Sequence, residues 1–371
     1  MSTLHIGLMS GTSLDGVDAV LADVPPGGRL GVRGHVHRPF PAALRAELLA
    51  LNTPGDDELH RAALAATALS RQYADAVAAL LNEAATSATA VRALGAHGQT
   101  VRHRPGEFDG CGYTLQLLNP SLLAELSGID VVAAFRSRDI AAGGQGAPLG
   151  PAFHRALFAR PGETVAVLNL GGIANLTVLG AEGTTLGFDC GPANALMDHW
   201  SQQHRGRDRD EAGAWAASGR VQQPLLASML AEPYFSLPPP KSTGRDLFNP
   251  HWLAARLAAH PAHHAEDVQA TLAELTARAC ADAVERHAAT ALELLVCGGG
   301  TFNTHLMQRL AALLPACRVR ATDVRGLPAS QVEAAAFAWL ASAHCDGLPG
   351  NLPSVTGAAG PRVLGARYPA H

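Results

Sequence analysis

Short apolar runs interrupted by a glycine-containing polar turn occur twice along the chain, about half a chain apart. Residues 6–9 are apolar, a polar turn follows, and residues 17–24 are apolar again. The same order returns at 164–170 and 173–179, with a Gly-Gly pair between the runs. Each copy predicts two strands joined by a turn. The repetition predicts two related domains that face one another, each presenting a glycine-rich hairpin to a shared cleft.

Helical periodicity fills the segments outside the two hairpins. Apolar residues recur at nearly helical intervals over 57–85 and 266–290, which predicts two helices with one apolar face each. Asn303 can cap a leucine-containing helix that follows it. Ser330 and Glu333 have the S-x-x-E spacing of a capping box, before an alanine-rich helix that ends near residue 343. Proline and glycine predict loops at 25–31, 104–112, 236–244 and 347–361.

Composition narrows the class of protein. The 371 residues exceed one small core and suit two domains, and 47% apolar with 16% charged residues is typical of a globular chain. A net charge of -4 predicts no broad basic surface for nucleic acid or for an anionic membrane. The six cysteines form no C-x-x-C pair, and no apolar run approaches the length of a membrane span. We therefore expect reduced thiols and a cytoplasmic enzyme, without nucleic-acid or membrane partners and without a dedicated histidine metal site.

The first segment that can carry chemistry is the turn at 7–18. It holds three hydroxyl side chains, three glycines and two carboxylates. Backbone amides freed by glycine can surround phosphate oxygens, and the carboxylates can hold Mg²⁺ directly or through water. No G-x-x-x-x-G-K-[ST] pattern is present, so the turn is not a Walker A loop. A hairpin whose polar side chains satisfy their own backbone remains the alternative.

Two later segments repeat the combination of glycine and polar residues. Asp189 ends an apolar approach and precedes a helix predicted to start near Pro192, which places its carboxylate at the positive end of a helix dipole. It is either a helix cap or a base in a cleft. The glycine triplet 298–300 follows an apolar strand and allows close approach of a nucleotide or of another protein surface.

Two polar clusters contain the planar donors and acceptors that sugars need. One cluster is at 96–100 and the other is at 135–149. Each could also be part of a loop with a purely structural role.

Together these segments resemble the anhydro-N-acetylmuramic acid kinase family, over nearly the whole chain and in the family's order. The matching motifs are GLMSGTSLDGVDAVLAD, HGQT, FRSRDIAAGGQGAPL, NLGGIANLT, GFDCGPAN, PPPKSTGRDLFN, CGGGTFN and SQVEAAAFAWLA. The first motif and the GGQGAPL stretch are long and specific.

The resemblance implies an α/β fold with two ribonuclease H-like domains, as in actin-like ATPases, flanking a deep nucleotide- and sugar-binding cleft. We expect an N-terminal domain of residues 1–135 with 348–371 and a C-terminal domain of residues 136–347. It also implies a homodimer and an ATP-dependent reaction that opens the 1,6-anhydro ring of the sugar and phosphorylates O6.

The resemblance implies roles for individual residues. Asp189 matches the family's catalytic aspartate, and ATP with Mg²⁺ would be the cofactors. The residues expected to bind the nucleotide are Gly11, Thr12, Ser13, Leu14, Asp15, Gly16, Val17, Asp18, Gly171, Gly172, Gly298 and Gly299. Those expected to bind the sugar are His97, Gln99, Thr100, Arg138, Asp139 and Glu333, although Glu333 could instead complete the capping box.

Two alternatives stay open at the level of sequence. An ordinary hexose or N-acetylhexosamine kinase of the same fold would use Asp189 on a free 6-hydroxyl. A nucleotide-dependent sugar sensor would close on its ligand without turnover.

Overall fold

The computed structural model describes residues 3–11, 13–25, 29–245, 247–260 and 264–371, in which strands and helices alternate. The strands are β1 (Thr3–Met9), β2 (Gly16–Val24), β3 (Gly31–Pro39), β4 (Val91–Ala96), β5 (Gln99–Pro105), β6 (Gly112–Leu117), β7 (Val131–Ala133), β8 (Val165–Leu170), β9 (Ile173–Leu179), β10 (Thr185–Pro192), β11 (Glu293–Cys297), β12 (Arg318–Ala321) and β13 (Ala366–Tyr368). The α-helices are α1 (Ala42–Ala50), α2 (Glu58–Glu83), α3 (Pro120–Ser127), α4 (Phe135–Ile140), α5 (Gly150–Phe158), α6 (Asn194–Arg205), α7 (Ala214–Ser218), α8 (Gln223–Leu230), α9 (Pro250–Ala258), α10 (Ala265–His287), α11 (Thr304–Leu313), α12 (Val332–Cys345) and α13 (Pro353–Thr356).

The chain divides into two compact units. Unit 1 consists of Met1–Leu157 with Gln331–His371, and unit 2 is Phe158–Ser330. The sequence-based boundaries differ from these, because they assign 136–157 and 331–347 to the second domain. The difference has a physical reason: helix α12 packs on β1, β2 and β4 of the first sheet.

Unit 1 is built on a six-stranded sheet with the order β13-β7-β4-β1-β2-β3. Strands β1, β2 and β3 are antiparallel neighbours, whereas β1, β4 and β7 run parallel to one another. Helix α2 covers β2 and β3, and its fully buried residues Leu69, Tyr73 and Leu80 recur at helical spacing. The described strands β5 and β6 form a separate two-stranded hairpin.

Unit 2 repeats this architecture in a five-stranded sheet. Its order is β10-β9-β8-β11-β12, with an antiparallel hairpin followed by parallel strands. When the strands of each sheet are numbered in chain order, both sheets contain the order 3-2-1-4-5. The α/β class and the two ribonuclease H-like domains predicted from the sequence are confirmed.

Helix α12 approaches the first sheet at backbone distance, and two glycines make this possible. A Cβ atom on Gly7 of β1 would lie 1.8 Å from the carbonyl oxygen of Ala334. A Cβ atom on Gly95 of β4 would lie 2.0 Å from the carbonyl oxygen of Phe337. Any larger residue at either position would push the helix off the sheet.

The helices predicted from periodicity are present, with one error at a helix start. Helices α2 and α10 match the predicted segments within a few residues, and the Asn303 side chain accepts the Leu306 amide at 2.9 Å as the cap of α11. The predicted capping box is wrong: a 3₁₀ turn at Ala329–Gln331 leads directly into α12, whose N-cap is Gln331 without a side-chain cap. Among the described helices, none is long and apolar enough to cross a membrane.

Candidate active site

The turn between β1 and β2 is anchored to the core by two buried hydroxyl groups. The Ser10 hydroxyl lies 2.8 Å from the Tyr73 hydroxyl and donates to the Gly98 carbonyl at 3.1 Å. Above it, the Ser13 hydroxyl donates to the Asp15 carboxylate at 2.8 Å, and both residues are exposed. This last bond is the local satisfaction that the alternative interpretation of the turn predicts.

The residues of this turn that are predicted to bind the nucleotide differ in whether their side chains are available to a ligand. The side chains of Leu14 and Val17 belong to the core, so only their backbone is available to a ligand. A Cβ atom on Gly16 would lie 2.2 Å from the Arg38 carbonyl, so pairing with β3 requires this glycine. Thr12 lies outside the described residues. Gly11, Ser13 and Asp15 are therefore the described positions of the turn that face outward or leave room beside them.

Asp18 is held by two histidines of β3. One carboxylate oxygen lies 2.9 Å from His35 Nε2 and 3.2 Å from His37 Nδ1. Burial raises the pKa of Asp18, but the two histidine bonds outweigh it, so the pKa lies below its usual value. The same bond to Asp18 raises the pKa of His37. Within the described ranges, no three His, Cys, Asp or Glu side chains are placed to hold a metal ion by themselves.

His97 is a buried neutral imidazole next to a cation. Burial and the adjacent Arg136 hold the pKa of His97 down to about 3. Its Nε2 accepts from the Arg136 guanidinium at 2.9 and 3.1 Å, so the ring hydrogen is on Nδ1. Nδ1 has no partner at hydrogen-bond geometry among the described residues, although the nearby Gly98 and Ser10 backbones raise the pKa of the ring against burial. The buried Oε1 of Gln99 also has no partner there, and Gln99 Nε2 donates to the Gly11 carbonyl at 3.1 Å. A donor and an acceptor on neighbouring residues thus suit a polar ligand.

Asp139 and Arg138 are neighbours on helix α4, but their side chains point about 100° apart and differ in burial. Asp139 is fully buried, and its carboxylate accepts from the Gly146 amide at 2.8 Å, from Asn351 at 2.7 Å and from Thr356 at 2.8 Å. These bonds anchor the GGQGAPL loop to the C-terminal segment. The structure gives Asp139 these internal bonds, and its sugar contact stays a prediction. Arg138 is exposed.

The two other residues predicted to bind sugar are accessible in part. The Thr100 hydroxyl accepts from the Gln116 side chain at 3.2 Å. Glu333 is half-buried in the first turn of α12. Its predicted contact with the sugar stays a prediction.

In unit 2, Asp189 lies on the edge strand β10 instead of at a helix start. Strand β10 continues to Pro192, and α6 begins at Asn194 with Ala193 as its N-cap, so Asp189 is not a helix cap. The pairing of β10 with β9 shifts register between Asp189 and Gly191, as at a β-bulge. Such a shift re-aims the side chain of the bulged strand.

The first amides of α6 are already occupied. The amides of Ala193 and Ala195 donate to the Gly172 carbonyl at 3.0 and 3.2 Å, and that of Asn194 donates to the Gly171 carbonyl at 3.0 Å. These amides therefore fix the turn between β8 and β9. The carboxylate of Asp189 instead accepts the Thr243 amide at 2.9 Å.

The glycines of the three turns predicted to bind the nucleotide differ in whether packing within the protein excludes a side chain at that position. A Cβ atom on Gly298, which has a φ of +82°, would lie 2.4 Å from the Asn169 side chain, and one on Gly300 would lie 2.5 Å from Leu170. On Gly11, Gly171 or Gly299 the nearest atoms are 3.6, 3.6 and 3.9 Å away, which is ordinary contact. Packing explains Gly298 and Gly300, whereas nothing in the described chain requires glycine at the other three positions.

Sequence reasoning missed the residues that hold the predicted site residues in place. Arg136, which contacts His97, was passed over for Arg138. A helical interpretation of α4 could have found it, because residues 136, 139 and 140 share one side of a helix and residue 138 does not. In unit 2, Tyr234 and Lys241 contact the backbone of Asp189. Lys241 lies in the predicted loop at 236–244 and in the PPPKSTGRDLFN motif, whereas Tyr234 lies just before that loop.

The chain resembles known proteins over nearly its whole length. A family model described as "Anhydro-N-acetylmuramic acid kinase" matches residues 3–370. A protein of that description from Variovorax paradoxus is 64% identical over 372 residues, covering 99% of each chain. One from Albidiferax ferrireducens is 58% identical over 390 residues, covering 100% of each chain. Among solved structures, the activator of the 2-hydroxyisocaproyl-CoA dehydratase from Clostridium difficile aligns with 93% of this chain and 97% of its own, at 11% identity and a TM-score of 0.46.

Proposed function

Because the chain belongs to the anhydro-N-acetylmuramic acid kinase family, we propose that it phosphorylates 1,6-anhydro-N-acetylmuramic acid with ATP in the recycling of the bacterial cell wall. The observation that carries the proposal is the family match over residues 3–370, which includes Asp189 and all three glycine turns. The products are N-acetylmuramic acid 6-phosphate and ADP.

Asp189 is proposed as the general base. The substrate has no free 6-hydroxyl, because O6 is bonded to C1. Water attacks C1, and the Asp189 carboxylate takes a proton from that water. The C1–O6 bond breaks as O6 forms a bond to the γ-phosphorus of ATP, and ADP leaves. The half-buried carboxylate, fixed by the Thr243 amide, supports this role because a base must be held in one orientation.

The three glycine turns are proposed to bind ATP. Gly11, Gly171 and Gly299 support this assignment, since close approach of phosphate or ribose explains glycines that packing does not require. Mg²⁺ would be held by Asp15 and Asp18 together with phosphate oxygens and water, because Mg²⁺ commonly uses only one or two carboxylates. When bound, the ion neutralises charge on the transferred phosphoryl group.

The sugar is proposed to bind His97, Gln99, Thr100, Arg138 and Glu333 of unit 1. The support is strongest for His97 and Gln99, whose Nδ1 and Oε1 are buried without a partner in the described chain. A sugar hydroxyl or amide can both donate and accept, so it can satisfy both atoms. A location in the cytoplasm and assembly as a homodimer complete the proposal.

The test is a coupled ADP-release assay with ATP, Mg²⁺ and 1,6-anhydro-N-acetylmuramic acid, run beside free N-acetylmuramic acid and N-acetylglucosamine. We expect ADP release with the anhydro sugar alone and a 6-phosphate product. Turnover confined to a free sugar would identify an ordinary sugar kinase, with Asp189 acting on a hydroxyl.

A further inference from the structure

Lys241 is the only lysine in the sequence, whereas every other basic side chain among the 28 lysines and arginines is arginine. Lysine differs from arginine in being a compact point charge with three donors on a flexible stem. At position 241 a compact ammonium is therefore expected to have a role that a planar guanidinium would not fill.

The Lys241 ammonium is bound to the backbone of a preceding turn. Its Nζ donates to the carbonyls of Tyr234 and Phe235 at 3.1 and 3.4 Å. It also lies 4.7 Å from the centre of the Tyr234 ring and 5.9 Å from that of Phe188. These contacts join the two ends of residues 234–243, which we call the strap.

The strap holds Asp189 at three points. The Tyr234 hydroxyl donates to the Asp189 carbonyl at 2.8 Å. The Asp189 amide donates to the Lys241 carbonyl at 3.2 Å, and the Thr243 amide donates to the Asp189 carboxylate at 2.9 Å. Because β10 is the edge strand of the sheet in the described part of the chain, partners on its outer side come from outside the sheet. The strap supplies such partners at Asp189, next to the register shift between Asp189 and Gly191.

We infer that Lys241 is the positioning residue of the base: its ammonium closes the strap, and the strap fixes the Asp189 carboxylate for attack of water on the sugar. This inference rests on the proposed function. Lys241 acts through Asp189, so its loss should move the base and leave nucleotide binding unchanged. Displacement of a base by about 1 Å can lower a rate about 100-fold.

The surroundings of Lys241 fit a compact cation. Burial lowers its pKa, while Asp189 and Cys190 raise it and the nearby Arg286 lowers it. Its charge also lowers the pKa of His287, whose pKa burial already lowers. Two carbonyl oxygens and an aromatic face match the three donors and the point charge of an ammonium.

The kinetic test compares Lys241→Met with Arg256→Met. Arg256 is a matched control, because it also lies over an aromatic ring, that of Trp252, and pairs with Glu232 without contacting Asp189. We expect kcat to fall about 10- to 100-fold in Lys241→Met, with the KM for ATP unchanged, and to stay unchanged in Arg256→Met. A kcat equal to wild type in Lys241→Met would overturn the inference.

A double-mutant cycle separates positioning from general damage. In an Asp189→Asn background, Lys241→Met should cause no further loss of kcat, because there is no base left to position. A further loss of the same size as in the wild-type background would assign Lys241 a role that does not pass through Asp189.

A measurement that does not depend on turnover tests the role of Lys241 independently of the proposed function. By amide hydrogen exchange we expect Lys241→Met and Tyr234→Phe to lose protection at Asp189 and Thr243, while the rest of β9 and β10 stays protected. Unchanged protection in both variants would show that the strap is not closed by these side chains. A wild-type protein without ADP release on the anhydro sugar would refute the proposed function, whichever result the exchange gives.

Discussion

Arg136 and Arg138 are two residues apart on one short helix, but only Arg136 contacts a predicted site residue. Successive positions on a helix turn by about 100°, so residues two apart point to nearly opposite sides. Arg136 reaches the buried His97 ring, and Arg138 is exposed. The charge of a side chain is therefore a weaker guide to its role than its position on the helix.

Asp189→Asn tests the base itself. The amide side chain keeps the shape but cannot take a proton from water, so we expect kcat to fall about 10²- to 10⁴-fold. ATP binding should be unchanged when measured by calorimetry or by nucleotide fluorescence. The exposed Asp282 of α10 gives a control, Asp282→Asn, that should keep wild-type turnover. Near-normal turnover in Asp189→Asn would remove Asp189 from the mechanism.

At the scale of elements, the glycine turns separate packing from ligand binding. Gly171→Ala should change the free energy of unfolding by less than about 0.5 kcal/mol, because a Cβ atom meets only ordinary contacts there. We expect it to raise the KM for ATP about tenfold, since the added methyl group would meet the nucleotide.

Gly298→Ala is the matched variant, in which we expect the main effect on stability. Its positive φ and the close Asn169 side chain should lower the free energy of unfolding by more than about 1 kcal/mol, measured in urea. Equal stability of the two variants, with equal KM values, would contradict the division between them.

The close packing of helix α12 on the first sheet can also be tested at the scale of elements. Gly95→Ala should lower the free energy of unfolding by at least about 2 kcal/mol, because its methyl group would overlap the Phe337 carbonyl and push the helix off β4. Gly31→Ala is the control, since no atom lies within 4 Å of a Cβ atom there. Denaturant midpoints would compare the two, and similar values would argue against close helix packing.

At the scale of the whole molecule, stability should depend on three buried histidines of unit 1. Burial lowers the pKa of His5 to about 4, that of His97 to about 3 and that of His154 to about 4. All three folded values lie below the unfolded value of about 6.5. The stabilisation is therefore complete above about pH 6.5 and is lost as the pH falls towards 4.

We expect each of these histidines to cost on the order of 1–2 kcal/mol of stability at about pH 5 relative to about pH 7.5. Urea unfolding at both pH values measures the loss. His154→Leu should reduce it, whereas replacement of the exposed His60 by Leu should not. An equal loss in both variants would show that His154 carries no such linkage.

Patterns within a few residues determined much of the fold. The apolar runs 6–9, 17–24, 164–170 and 173–179 became the hairpins β1–β2 and β8–β9 that begin both sheets. Asn303 caps α11 as its side chain predicts. Such features follow from the periods of strand and helix and from local capping bonds, so the sequence by itself determines them. The order of the motifs along the chain likewise indicated the family.

Tertiary structure alone decided which partners the site residues have. The Asp139 carboxylate is taken by Asn351 and Thr356, more than 200 positions away in the chain. The Asp189 carboxylate is held by Thr243 from a segment whose pattern predicts a plain loop. The 3₁₀ turn before α12 replaced the capping box that the spacing of Ser330 and Glu333 predicted. Local spacing determines which strands and helices the backbone forms. A buried side chain, in contrast, forms hydrogen bonds with the groups that the fold places next to it. Those groups are set only when segments distant in the chain pack together.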